Sequence, residues 1–222
     1  LLFTLISSKA FAQMTIMNVP SADVAEKKRI FMAHETQFRK KERGKFWNDT
    51  HYTTAGIGHN TELTATFFNL GNLGHNDEAL GTGFKSAIPL KIDNLEKYQP
   101  KLIIGSMALF SLREGGSGNW TYVAGSITLP QTSTRLTAGI STGTKQLFGD
   151  NITSFMGGFE QKITHDLSFI GDWYAGKSNS MGVLAAGLNY NFPHEISFAF
   201  GYQRSNTKTI AQNAFIASVG KM

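Results

Sequence analysis

The sequence predicts an all-β fold: an antiparallel, up-and-down transmembrane β-barrel of about twelve strands. Three observations carry this. From about Ile30 onward the chain repeats runs of roughly ten residues in which apolar and polar side chains alternate, the period of a strand whose two faces meet different surroundings. The connections between runs alternate in kind. One set is short or carries Pro, as in HN at 59–60, PQTS at 130–133, THD at 164–166 and NFPHE at 191–195; the other is charged or glycine-rich, as in KKERGKFWND at 40–49, GNLGHNDE at 71–78, REGGSGN at 113–119 and KQLFGDN at 145–151. Tight turns at one rim and exposed loops at the other are what a membrane-crossing barrel needs. Finally, charged residues make up 17% of the chain, low against the usual level of about 25%.

The elements follow in order. Residues 1–12, LLFTLISSKAFA, have an apolar stretch, small residues and an Ala10-Phe11-Ala12 end. This is the pattern of the tail of a secretory signal peptide cleaved after Ala12. Residues 13–28 contain Pro20 and the polar stretch SADVAEKK and form either a periplasmic lead-in or a plug in the barrel mouth. The barrel domain is expected over 29–222. Strand one covers Arg29 to Arg39. His51 to His59 pairs with Glu62 to Leu70 across Asn60-Thr61, where a polar Asn suits a hairpin. Leu80 to Leu90 and Lys101 to Leu112 flank the long link of Lys91 to Pro100. Asn119 to Leu129 and Thr134 to Gly143 flank Pro130. Ser154 to Ile163 and Leu167 to Gly176 flank His165-Asp166. Met181 to Tyr190 and Ile196 to Arg204 flank Pro193, and Ile210 to Val219 closes the set. The count becomes ten if the first or last strand is misassigned. An even number returns the chain to the rim where it began.

Alternation orients the side chains. Phe155, Phe159, Phe169, Trp173, Phe198 and Phe200 share outward parity, and Glu160 and Asp172 share the opposite parity. A charge facing lipid at mid-bilayer costs about 2–4 kcal/mol, so the charges belong inside. Arg135, Glu160 and Asp172, on three consecutive strands with Lys162 nearby, form a candidate lumen charge network. It reads either as a structural ladder or as a constriction that selects solutes. Arg29, Glu35, Arg39, Glu62 and Lys85 share the inward parity. Trp120, Trp173, Tyr52, Tyr174, Tyr190 and Tyr202 lie near strand ends, where interfacial aromatic girdles sit. The fifth strand, with Leu102, Ile103, Ile104, Met107, Leu109 and Phe110, is apolar on both faces, and its orientation stays open.

Hairpins such as FEQKITHDLSFIGDWYAG, the strand FAFGYQ and the leader-like N-terminus resemble those of the bacterial outer-membrane β-barrel superfamily, in particular its small porin-like members. The resemblance covers nearly all of the chain after Ala12 and rests on pattern. It implies insertion in the outer membrane of a Gram-negative-type bacterium, with outer-membrane lipid and small polar solutes as partners.

Other chemistry finds little footing. The chain has no Cys, which removes thiol and disulfide chemistry. Its net charge of +5 is scattered, and the densest basic run, Lys40, Lys41, Arg43 and Lys45, is interrupted by Glu42. That run reads as a solvated loop, and no nucleic-acid partner is expected. Gly139 to Gly143 matches G-x-S-x-G but lies inside an alternating strand, without the strand-to-helix turn a nucleophile needs. The six histidines are scattered, with neither the spacing of a metal site nor a Ser partner for hydrolysis. The expectation is a non-enzyme without cofactor or metal: a small pore or passive transporter for polar solutes. A structural or surface-interaction barrel without transport is the first alternative. The second is a soluble secreted barrel holding an apolar ligand, which would turn the alternation inside out.

Overall fold

Twelve strands of alternating side chains close on themselves. The computed structural model describes residues 15–42, 45–69, 78–113, 115–145, 152–176, 182–207 and 213–222, with side chains from 39 to 47 excepted. The strands are β1 (Ile30–Glu42), β2 (Lys45–Gly58), β3 (Thr61–Phe68), β4 (Ala79–Pro89), β5 (Lys101–Ser111), β6 (Ser117–Leu129), β7 (Thr134–Gly143), β8 (Thr153–Lys162), β9 (Leu167–Tyr174), β10 (Val183–Phe192), β11 (Ile196–Ser205) and β12 (Ala214–Lys221). Each pairs antiparallel with its chain neighbours. The ring closes where β12 meets β1, from Met32 opposite Lys221 to Arg39 opposite Ala214. No edge is left to expose unpaired backbone groups, as a barrel in lipid requires.

The connections depart from expectation in places. The charged run at 40–49 is largely strand: β1 and β2 extend through it, and their register places Glu42 opposite Lys45. The β2–β3 turn is His59-Asn60, both left-handed with φ of 52° and 55°, the conformation a two-residue hairpin favours. The Lys91–Pro100 link contains a short 3-10 turn at Glu96–Tyr98. The final strand starts at Ala214, four residues later than the sequence suggests. The leader-like residues 1–12 and the loop tips at 70–77 and 146–151 lie outside the described residues.

Orientation follows parity. Phe155 is 69% exposed, and Phe169, Trp173, Phe198 and Phe200 also stand outward, in a belt shared with Leu63, Phe84, Ile140, Leu188 and Phe215. Phe159 lies half-buried in that belt, packed against Phe169 at 5.3 Å between ring centres. Asp172, Glu62, Lys85 and Glu35 are buried inside. This arrangement is the reverse of a soluble barrel, so the reading of an apolar ligand enclosed in a secreted barrel does not hold. The β5 ambiguity resolves with Ile103 inward and fully buried and Phe110 outward.

The aromatic girdle is smaller than expected. Trp173, Tyr190 and Tyr202 are outward, but Tyr174 is fully buried inside. Trp120 packs on Tyr122 and Tyr174 with ring centres 4.7 and 6.4 Å away. Tyr52 lines an internal cavity with Glu35. Nearness to a strand end had suggested an interfacial role for all of them, whereas parity sends these three rings into the lumen.

The closed ring gives a direct expectation. The purified chain will require detergent, give a β-type circular dichroism spectrum, and run faster on a gel unheated than boiled, because the hydrogen-bonded ring resists unfolding by cold SDS. A helical spectrum or identical mobility would contradict the closed barrel.

Candidate functional site in the lumen

The lumen is occupied by the chain's own residues 15–28. This segment lacks strand alternation and contains Pro20. It enters at the rim of short turns, where Arg29 is ion-paired with Glu195 of the β10–β11 turn. Lys28 N–H donates to the Gly56 carbonyl, and Gly56 N–H donates to the Arg29 carbonyl, each at 2.9 Å. Gly is needed at 56: a Cβ there would collide with the carbonyl oxygens of Ala25 and Glu26.

At its far end the segment makes a tight turn, with Ile16 N–H donating to the Val19 carbonyl at 2.7 Å and Thr15 bridged to Pro20. The turn aims three consecutive N–H groups one way. Asp172 on β9 accepts all three on Oδ2, from Met17 (2.8 Å), Asn18 (2.5 Å) and Val19 (2.7 Å), while its Oδ1 accepts from Asn18 Nδ2 at 3.3 Å. Successive backbone N–H groups in a turn form a concave anion seat; here the anion is a side chain of the barrel wall. Space comes from small residues level with Asp172, namely Gly158 and Ala185. A Cβ on Gly158 would lie 2.6 Å from Ile16 Cδ1.

A second anchor is Arg135 on β7. Its guanidinium grips Asp23 bidentately, Nη1 to Oδ1 at 2.7 Å and Nη2 to Oδ2 at 2.6 Å, and donates from Nε and Nη2 to Glu160, each at 2.5 Å. Arg135 and Glu160 are level in the β7–β8 register. Paired bidentate contacts of this kind combine charge with fixed geometry. Burial raises the Asp23 carboxyl, but the Arg135 guanidinium beside it outweighs that, so Asp23 sits below its ordinary value. This anchor therefore acts fully above the usual aspartate range and is lost as pH falls through Asp23's lowered value.

Glu62 on β3 is a third anchor. Its Oε2 accepts from Ala25 N–H at 2.7 Å, and its Oε1 lies 3.1 Å from Lys85 Nζ, the residue opposite it on β4. Lys101 Nζ donates to the Ala22 carbonyl at 3.1 Å. Between these anchors, Ile16, Met17, Val19 and Ala22 pack into one cluster with Ile103, Tyr122, Met156, Ile170, Tyr174 and Ile216 of the wall. The inward apolar residues of β5 and β9 are thus the seat of the segment. Cavities of about 40 and 30 Å³ remain beside it, the first lined by Glu35, Tyr52 and Asn189, the second by Lys85, Met107 and Trp120. Each has room for roughly two to four waters.

The residues singled out from sequence are therefore distributed as follows. Arg135 and Glu160 meet. Asp172 does not join them; it faces the lumen from β9 and holds the segment instead. Lys162 is exposed at the end of β8. Glu62 and Lys85 form a buried pair. Glu35 is buried and accepts from Gln37 Nε2 at 3.0 Å. Arg29 precedes β1 and pairs at the rim rather than inside. Arg39 is in β1, with its side chain outside the described set. Sequence reading missed Asp23 and Lys101. An acid in a segment without strand pattern, close to apolar residues with no strand to join, was the available signal. The G-x-S-x-G match lies within β7, with Ser141 buried on the inward face of the strand rather than exposed at a turn as a nucleophile requires.

Two substitutions separate docking of the segment from integrity of the barrel. Gly56→Val puts a side chain against the segment's backbone and should expose residues 15–28 to protease while the folded gel mobility stays unchanged. Asp172→Ala removes three charge-assisted hydrogen bonds from backbone N–H groups, worth about 1.5–3 kcal/mol each, together with the one from Asn18 Nδ2, and should speed amide exchange at residues 17–19 at least 100-fold. Unaltered exchange would show that Asp172 does not hold the turn.

No family model and no curated protein matches the chain. Solved structures do match. The KdgM porin is similar with a TM-score of 0.58 and 10% identity, over 87% of this chain and 98% of that one. The same porin in complex with disordered oligogalacturonate gives 0.58 and 9%, over the same shares. The translocator domain of the autotransporter NalP from Neisseria meningitidis gives 0.42 and 12%, over 87% of each chain. At these identities the likeness to the KdgM porin is one of fold alone.

Proposed function

We propose that the protein is an outer-membrane pore for small polar solutes, closed by residues 15–28 and opened when that segment leaves the lumen. One observation carries the reading. The ring is complete without the segment, since β12 pairs directly with β1, while the segment is held by hydrogen bonds, ion pairs and packing that can be exchanged for water. Removing it would leave a walled passage lined by Thr50, Thr54, Thr64, Ser126, Thr137, Asn189 and Gln203 among other polar groups. Non-enzymatic passage fits this lining.

The wall also suggests the solute class. Its inward charges are Lys85, Lys101 and Arg135 against Glu35, Glu62, Glu160 and Asp172. That mixture favours neutral or zwitterionic solutes over a polyanion such as the oligogalacturonate bound by the KdgM porin, because like-charge contacts along a narrow lumen repel a polyanion. The apolar packing of Ile16, Met17 and Val19 favours a second reading, a permanently plugged structural barrel.

Planar-bilayer recording distinguishes the two. A chain lacking residues 15–28 should conduct continuously, and the intact chain should show the same unit conductance at low open probability. Intact protein that stays silent at every potential, beside a conducting deletion, would favour the structural barrel. A deletion that folds but does not conduct would sink the pore. In the conducting deletion, Arg135→Ala should shift selectivity toward cations, because it removes a fixed positive charge from the passage.

A further inference from the structure

The Arg135 anchor belongs to a small, balanced set of charges. Among the described residues, Arg135, Lys101, Lys85, Asp23 and Glu160 bear on one another electrostatically, and Glu62 joins them through Lys85. Three cations thus face three carboxylates. Glu62, Lys85, Lys101, Arg135 and Glu160 belong to the wall, on β3, β4, β5, β7 and β8; only Asp23 arrives with the segment. The wall by itself holds one cation in excess there, and the segment supplies the single carboxylate that balances it.

The cations are arranged around that carboxylate. Arg135 meets Asp23 through two parallel hydrogen bonds, Nη1 to Oδ1 and Nη2 to Oδ2, the geometry in which a guanidinium recognises any planar carboxylate. Its Nε is turned to Glu160 of the next strand, so the wall itself orients the fork. Lys101 Nζ donates to the carbonyl of Ala22, the residue before Asp23, and loses that partner when the segment withdraws. The contact uses only the carboxylate of Asp23, whose side chain is an acetate group tethered to backbone.

The place is also reachable. Arg135 is the second residue of β7 and Lys101 the first of β5, both at the rim of short turns. The Arg135 and Asp23 side chains keep 19% and 13% of their surface exposed, so water and small anions from that rim meet them while the segment is docked.

We infer that Arg135 and Lys101 form a binding place for the carboxylate of a small solute carrying one such group, as a zwitterion does, and that Asp23 is the internal stand-in which this solute displaces. Glu160 and Glu62, members of the same set, repel a second carboxylate, which keeps the place from accepting a polyanion. Solute and Asp23 compete for one guanidinium, so binding of the solute and docking of the segment oppose each other. A ligand that fits only the withdrawn state shifts the population toward it. The inference deepens the pore reading and rests on residues 15–28 leaving the lumen.

Acetate is the probe and acetamide its uncharged isostere. Asp23→Ala removes the stand-in within the full chain. Saturation-transfer NMR on the acetate methyl, in detergent and with chloride holding the ionic strength constant, reads binding. Ionic strength is fixed because salt alone screens ion pairs. Asp23→Ala should bind acetate saturably, the parent several-fold more weakly, and Asp23→Ala combined with Arg135→Gln not at all; acetamide should bind none of them. Heat-dependent gel mobility verifies that each variant is folded. In planar bilayers, replacing chloride by acetate should raise the open probability of the intact chain several-fold, and acetamide should leave it unchanged. A folded Asp23→Ala chain that binds no acetate, binding that survives Arg135→Gln, or an opening chain indifferent to acetate would overturn the inference. Acetate binding to Asp23→Ala, beside a folded deletion of 15–28 that does not conduct, would instead fail the pore reading and leave the binding place standing.

Discussion

Closure of the strand ring governs everything else in this molecule. Once β12 pairs with β1, every strand residue has two destinations, lumen or belt, and successive residues take them in turn. The chain cannot place a side chain on one face without committing its neighbours to the other. Hence Phe169 and Trp173 stand in the belt because Ile170 and Asp172 stand inside, and the lumen has to accommodate whatever the inward positions carry. A lumen wall bearing Asp172, Glu62, Lys85 and Arg135 demands partners, and the wall alone provides only some of them. Glu62 has Lys85 and Glu160 has Arg135, each from the next strand, but Asp172 lies level with Gly158 and Ala185, which offer it nothing.

The segment at 15–28 supplies what is missing. Its turn presents three N–H groups to Asp172, its Asp23 completes the donors of Arg135, and Ala25 uses the second oxygen of Glu62. The apolar side chains between those anchors cover Ile103, Ile170 and Ile216, which would otherwise face water across the lumen. Segment and wall are therefore complementary in both chemistries, and glycines at 56 and 158 provide the clearance. The pattern is one of a built seat rather than of a terminus resting in available space.

Much of this was legible in the sequence. Alternation and turn chemistry specify the strands, and parity alone sends Glu160 and Asp172 inside and Phe198 and Phe200 outside, since a one-residue slip would put carboxylates in the belt. Arg135 and Glu160 could be assigned to neighbouring strands with one parity, and the register then sets them level. What escaped was whatever depends on contacts between distant parts of the chain. The three N–H groups of Met17 to Val19 carry no sequence mark, because every residue but Pro has one. Tyr174 and Trp120 lie near strand ends like girdle residues, but they share the parity of Asp172 and Tyr122, and that parity, not nearness to a strand end, decides their inward packing. That His34 and His51 meet needed the β1–β2 register, which the charged run between those strands obscured by reading as a loop.

The chemistry of the anchors bears on whether the segment is fixed or can leave. A permanently filled interior would gain most from apolar packing, since a buried ion pair recovers little beyond its desolvation cost and is often matched or bettered by hydrophobic residues of similar volume. This lumen instead fastens the segment with carboxylates and a guanidinium. When the segment withdraws and water enters, Asp172, Glu62 and Arg135 regain the hydration they gave up, so the emptied wall is not left with stranded charges. Three aliphatic side chains, Ile16, Met17 and Val19, oppose the withdrawal, at about 1.5–3 kcal/mol each. Charged anchors with a small apolar patch thus keep the docked and withdrawn states closer in energy than an oily plug would, which is the balance a reversible closure requires.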